Sequence, residues 1–207
     1  MFTFIYLASQ SPRRQELLTQ MGVRYEMLIA KAGEDTESLE TPLPYEKAHD
    51  YVQRVTLAKS ELACLRWQQR LLPWAPILSA DTTVSLPESI VGEILGKPAD
   101  AMDAARILRM LSGKTHQILT AVALQIEPDS APLVSVQVSE VTFASLSDSE
   151  ITRYIASGEP LGKAGAYGIQ GLGATFIPSI NGSYSGIMGL PIFEVNRLLD
   201  HAKVIRK

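Results

Sequence analysis

The run Ser9-Gln10-Ser11-Pro12-Arg13-Arg14 places two serine hydroxyls and two guanidinium groups within six residues. It directly follows Thr3 to Ala8, a mostly apolar stretch that reads as a buried strand. Ser11 at a cap position and Pro12 at the first helical position predict a helix start. Arg13 and Arg14 then fall in the first turn, where the helix dipole is already positive. A helix does not favour that charge for its own sake. A polyanion at the strand-to-helix corner, most simply a phosphate chain, accounts for it. A generic helix start whose arginines meet surface carboxylates accounts for the same residues about equally well.

Four further groups can carry chemistry. Asp81, in Ser79-Ala80-Asp81-Thr82-Thr83, is expected just past the end of a short buried strand Ile77 to Ala80, where α/β sheets place their ligand crevice. There it can deprotonate a water or hold a metal, or simply accept hydrogen bonds from a turn. Lys97, between Gly96 and Pro98, suits a lysine that delivers a point charge to a phosphate, or a solvated turn lysine. Glu34 and Asp35 are adjacent acids that can complete an oxygen site for magnesium or manganese, or belong to an acidic surface loop with Glu37 and Glu40. The glycine-rich Gly162 to Gly171 lets backbone approach a flat ligand, and Gln170 within it can read a base edge. That stretch lacks the Gly-Lys-Ser/Thr ending of a phosphate-binding P-loop and is not a dinucleotide fingerprint.

The elements needed to position these groups are legible. Arg13 to Gln20 continues as a short amphipathic helix stopped by Gly22, and Tyr25 to Ala30 reads as a second strand. Tyr45 to about Arg70 reads as a long helix, with Ala48, Val52, Val55, Leu62 and Leu65 near helical spacing. Val91 to Leu95 is expected to pair back on the Asp81 strand. Asp100 caps a helix over Ala101 to Leu111, and Thr115 to Ile126 and Leu133 to Phe143 form two long strands. Ser147 to Glu150 has capping-box spacing and opens a further helix. Nine of the fourteen glycines fall from Gly158 to Gly189, which reads as selection for backbone freedom and not for packing. Asn181-Gly182 signals a hairpin turn, and Pro191 starts a terminal helix. The class is therefore α/β with a mixed sheet and flanking helices, in one domain over residues 1–207.

Bulk properties exclude several functions. A net charge of −3 argues against gripping nucleic acid by electrostatics. With one cysteine, Cys64, no disulfide framework forms within the chain, and a cytoplasmic setting is expected. No signal peptide or membrane span is expected. His49, His116 and His201 lack metal-site spacing.

In order and spacing, Leu7 to Arg14, Ser79 to Thr82, Gly96-Lys97-Pro98, Leu111 to His116, Gly165 to Gly171, Ile180 to Tyr184 and Gly189-Leu190-Pro191 together resemble the Maf family over nearly the whole chain. Within it the chain looks like the dTTP/UTP pyrophosphatase branch. The resemblance implies two lobes around a central cleft, similar to the inosine triphosphate pyrophosphatases. It implies hydrolysis of a nucleoside triphosphate to monophosphate and pyrophosphate, with dTTP, UTP, CTP or modified pyrimidine nucleotides as substrates and a role in cleaning the nucleotide pool. A divalent cation (Mg, Mn or Co) and a homodimer are also implied, with no nucleic acid or membrane partner. Asp81 falls on the family's proton acceptor, and Lys59 and Lys97 fall on its phosphate-side lysines. Arg13, Thr82 and Gln170 fall on its specificity positions, with Ser9, Ser11 and Arg14 in the same phosphate-cradling corner. Two departures stand out: the family's Asp-Glu appears here as Glu34-Asp35, and Gly162 replaces an acid. Other readings in the same frame are a pyrophosphatase for modified guanine nucleotides such as 7-methyl-GTP, or a nucleotide-binding regulator of septum formation.

Overall fold

A computed structural model describes residues 1–31, 34, 36, 38–86 and 93–206. Asp35, Glu37 and Val91 lie outside the described residues. Seven strands form one mixed sheet. In chain order the elements are β1 (Ile5–Leu7), α1 (Pro12–Gln20), β2 (Tyr25–Met27), α2 (Ala48–Gln69), β3 (Ile77–Leu86), β4 (Glu93–Leu95) and α3 (Ala101–Leu111). They continue with β5 (Thr115–Gln125), β6 (Leu133–Thr142), α4 (Asp148–Ala156), β7 (Ser179–Asn181), α5 (Tyr184–Met188) and α6 (Ile192–His201). The sheet order is β2-β1-β3-β5-β6-β7, with β4 added to β3. β1 runs parallel to β2 and β3, and the remaining pairs are antiparallel.

Alternation along the strands divides the core in two. Leu7, Leu78, Ala80, Val84, Ile118 and Val122 face the larger apolar cluster, which α1, α3, α4 and α6 cover. Tyr6, Ile77, Leu119 and Ala121 face the other way, onto Tyr51, Val52, Val55 and Ala63 of α2. Side chains two apart on a strand share a face, so Ser79, Asp81, Thr83 and Ser85 form a buried polar stripe on the α2 side of β3.

β3 differs from the sequence expectation in a way that matters. Asp81 stands in the middle of a ten-residue strand, not past the end of a short one. The polar letters Asp81-Thr82-Thr83 read as a turn, but the period-two pattern continues through Val84 and Leu86. One edge of β3 is paired with β5 from Ile77 to Ser85. The other pairs with β1 only at Ile77 and Leu78 and with β4 only from Val84 to Leu86. Among the described residues no strand pairs with the edge between these segments. A crevice opens there because β1 stops while β3 continues.

Smaller differences have local causes. α2 starts at Ala48 because Tyr45 adopts a left-handed backbone (φ 60°) that a helix cannot contain. Leu65 is exposed on that helix. Strand pairing of β2 ends at Met27. Asn181-Gly182 joins β7 to α5 and makes no hairpin. Several late glycines answer to packing as well as conformation, since a Cβ on Gly173 would lie 2.9 Å from both the Gly168 carbonyl and the Tyr154 hydroxyl.

Candidate active site

Arg14 fills the gap in the β3 edge. Its Nη1 donates to the Ala80 carbonyl at 2.9 Å and to Ser9 Oγ at 3.0 Å. Its Nε donates to the Gly189 carbonyl at 2.8 Å, and Nη2 donates to Thr82 Oγ1 at 3.2 Å. Burial works against the Arg14 charge, and the Asp81 and Glu40 carboxylates work for it. Four of the five Arg14 N–H groups have protein acceptors, and the second Nη2 hydrogen is left on a side chain that lines the cavity. Arg14 also sets the polarity of its neighbours. Ser9 Oγ accepts from Arg14 and from the Ser11 amide, so its proton is left to donate into the crevice. Thr120 Oγ1 gives its proton to the Gly186 carbonyl, so Thr82 must donate to Thr120, and its remaining capacity is as an acceptor. Ser11 occupies the N-cap position of α1 but makes no side-chain cap bond. Arg13 donates through Nε to the Met188 carbonyl at 3.2 Å.

On the opposite face of β3, Lys59 meets Asp81. Tyr51, Val55 and Lys59 recur at helical spacing on the side of α2 that faces the sheet. Lys59 Nζ lies 2.6 Å from Asp81 Oδ1 and 2.8 Å from Glu40 Oε1. The other Glu40 oxygen accepts from Lys97 Nζ at 2.7 Å. Asp81, Lys59, Glu40 and Lys97 thus form one chain of alternating charge. Burial raises the Glu40 carboxyl, but the two ammonium groups outweigh it and hold it below the ordinary carboxylate range. The Glu40 segment is fixed from α2: the Tyr51 hydroxyl donates to the Glu40 carbonyl at 2.8 Å, and Arg54 donates to the carbonyls of Leu39 and Thr41. Sequence reading missed Glu40, which it placed in a surface loop.

Glu34 engages Arg66, accepting at 2.8 Å from Nε and 2.5 Å from Nη2, and the Arg66 hydrogen bonds hold its carboxyl below the ordinary range. Its neighbour Asp35 lies outside the described residues. Ser9, Ser11, Arg13, Arg14, Lys59, Asp81, Thr82, Lys97 and Gln170 all line one cavity of about 460 Å³, and Glu34 does not. Among the described residues, six cationic side chains (Arg13, Arg14, Lys59, Arg66, Lys97, Lys163) and two carboxylates (Glu40, Asp81) line it, with Arg66 paired to Glu34, a balance that suits a polyanion. Gln170 stands exposed at its rim. Among the described residues no cluster of three or more His, Cys, Asp or Glu side chains is arranged for a metal ion. Asp81 and Glu40 do offer two hard oxygen donors on either side of one ammonium, a set compatible with a divalent cation that draws its other ligands from phosphate and water.

A family model described as Maf-like protein matches residues 4–202. The chain belongs to the Maf family. A protein of Ralstonia nicotianae named dTTP/UTP pyrophosphatase is 58% identical over 200 residues, covering 97% of this chain and 94% of its own. One of the same name from Cupriavidus metallidurans is 57% identical, covering 98% of each chain. Another from Burkholderia orbicola is 52% identical, covering 99% of this chain and 95% of its own. Among solved structures, the Staphylococcus aureus Ham1 protein aligns with 69% of this chain and 72% of its own at 13% identity, with a TM-score of 0.40, a likeness too slight to bear on fold or site. No helix among the described residues is long and apolar enough to cross a membrane.

Proposed function

We propose that the chain hydrolyses pyrimidine nucleoside triphosphates, namely dTTP and UTP together with CTP or modified pyrimidine nucleotides, to the monophosphate and pyrophosphate. The observation that carries this reading is Asp81, held by Lys59 in the middle of β3 and facing a cavity dominated by cations. The names of the relatives support the substrate class. The triphosphate lies over the corner from Ser9 to Arg14, with its charge offset by Arg13, Arg14, Lys59 and Lys97 and the Ser9 hydroxyl donating to a phosphate oxygen. Asp81 takes a proton from water as the water oxygen bonds to the α-phosphorus. The bond from that phosphorus to the α–β bridging oxygen breaks, and pyrophosphate leaves with its new charge met by the lysines. No covalent enzyme intermediate is needed, because positioning and charge stabilisation carry the step. Gln170 and the acceptor side of Thr82 read the base edge.

Asp81 and Glu40 would hold a divalent cation (Mg, Mn or Co), and Glu34 and Asp35 remain candidates beside them. Such an ion supplies Lewis-acid stabilisation of phosphoryl charge. We further infer a cytoplasmic homodimer acting in nucleotide-pool cleaning, without a nucleic-acid or membrane partner.

The test is pyrophosphate release from a panel of dTTP, UTP, CTP, dGTP and 7-methyl-GTP with each metal, and after chelation. Turnover of dTTP and UTP is expected, and Asp81→Asn should lower it about 10²–10⁴-fold, the range for a positioned general base. Parental turnover by purified Asp81→Asn would sink the assignment. A clear preference for 7-methyl-GTP would move the substrate to the guanine class, and nucleotide binding without turnover under every metal would leave a regulator.

A further inference from the structure

Between α4 and β7 the backbone from Gly168 to Gly173 is tied down by Glu159, a side chain that does not line the cavity. Glu159 Oε2 accepts the Leu172 amide at 2.8 Å, and Oε1 accepts the Gly173 amide at 3.0 Å. The same Oε1 accepts the Tyr154 hydroxyl at 2.9 Å, and the Tyr154 oxygen accepts the Gly168 amide at 3.3 Å. Bonds from amides to a carboxylate are charge-assisted and stronger than neutral ones. Gln170 sits between the two tethers, with Gly168 on one side and Leu172 and Gly173 on the other.

The glycines make the clamp possible. A Cβ on Gly171 would collide with the Glu159 carboxylate, and one on Gly173 would press on the Tyr154 hydroxyl. Gly168 lies under the Lys163 stem, whose Cε would be 3.2 Å from a Cβ there, and Lys163 Nζ donates back to the Glu159 carbonyl at 2.5 Å. Sequence reading assigned these glycines to ligand approach, but they also admit the clamp.

We propose that Glu159 is a positioning residue for base selectivity, fixing the Gly168–Gly173 turn so that Gln170 meets the base at one distance. This rests on the reading of Gln170 as a base contact. The clamp is separate from the hydrolytic groups. Among the described residues no hydrogen bond joins Glu159 or Tyr154 to Asp81, Lys59 or Glu40, and neither lines the cavity. Loosening it should therefore move KM and selectivity more than kcat.

The experiment measures kcat and KM for dTTP and dGTP in the parent, Glu159→Gln, Glu159→Ala, Tyr154→Phe and Gln170→Ala, with urea midpoints to establish folding. A side chain displaced by about 1 Å can cost up to about 10²-fold. Glu159→Gln keeps one acceptor oxygen, so the dTTP KM should rise about 10-fold, the preference for dTTP over dGTP should narrow by a similar factor, and kcat should stay within about threefold. Glu159→Ala should go further. Tyr154→Phe frees only the Gly168 tether and covers the case in which Glu159 variants do not fold. Folded variants that keep the parental preference while Gln170→Ala loses it overturn the positioning role alone. A Gln170→Ala protein with the parental preference overturns the base-contact reading, and this proposal with it.

Discussion

Replacing Arg14 with alanine should cost stability first and catalysis second, the reverse of what replacing Arg13 does. Arg14 donates to two backbone carbonyls, Ala80 and Gly189, and to two hydroxyls, Ser9 and Thr82. Each buried acceptor left unpaired costs about 1–3 kcal/mol, so the two carbonyls alone give about 2–6 kcal/mol. Removing the half-buried guanidinium recovers part of its desolvation cost, and water entering the gap recovers more. A net loss of about 3 kcal/mol is expected, which for a chain of this length lowers the melting temperature by about 6–12 °C. Arg13 makes one bond, to the Met188 carbonyl, so Arg13→Ala should stay within about 1 kcal/mol of the parent while kcat/KM for dTTP falls. Urea unfolding followed by the fluorescence of Trp67 and Trp74, with slopes compared to exclude a change in the unfolded state, reads the first quantity. Pyrophosphate release reads the second. An Arg14→Ala protein with the parental urea midpoint and the Arg13→Ala kinetics would refute the argument.

Two further predictions concern the packing behind the site. His116 is buried against Phe143 and Tyr167, its Nε2 lies 2.8 Å from the Tyr167 hydroxyl, and burial pushes its pKa down to about 4. The folded state therefore favours neutral His116. Its contribution is fully present above the unfolded histidine value of about 6.5 and is lost as pH falls toward 4, by about 2 kcal/mol at pH 5. His116→Gln should flatten the urea midpoint between pH 6.5 and 5, and an equal slope in parent and variant would contradict the burial argument. Gly165 has φ +70°, and a Cβ there would lie 2.6 Å from Val84 Cγ2. Gly165→Ala should cost about 3 kcal/mol from strained backbone and overpacking together. Adding Val84→Ala should recover part of it if the clash is real, so a purely additive double mutant would point to backbone strain alone.

How much of this was legible in the sequence depended on how local the cause was. The Ser11-Pro12 helix start, the Asp100 cap and the Ser147–Glu150 capping box are statements about neighbouring residues, and each stands in the structure as read. The end of β3 was misplaced because three consecutive polar residues resemble a turn. The alternation Ser79, Asp81, Thr83, Ser85 against Ala80, Val84, Leu86 was the signal for a longer strand. The acceptors of Arg14 gave no local sign, because they lie up to 175 residues away in the chain. Glu40 gave no local sign, since its roles depend on α2 and on Lys97, 57 residues on.

The alternating chain from Asp81 through Lys59 and Glu40 to Lys97 means that the cavity carries its own counter-ions. On the proposed function, a triphosphate entering it would compete with Asp81 and Glu40 for the same ammonium groups rather than meet bare cations. The protein without substrate is spared the self-repulsion of a basic pocket. Affinity for a polyanion would be correspondingly tempered, and less governed by ionic strength than the cationic side chains alone suggest.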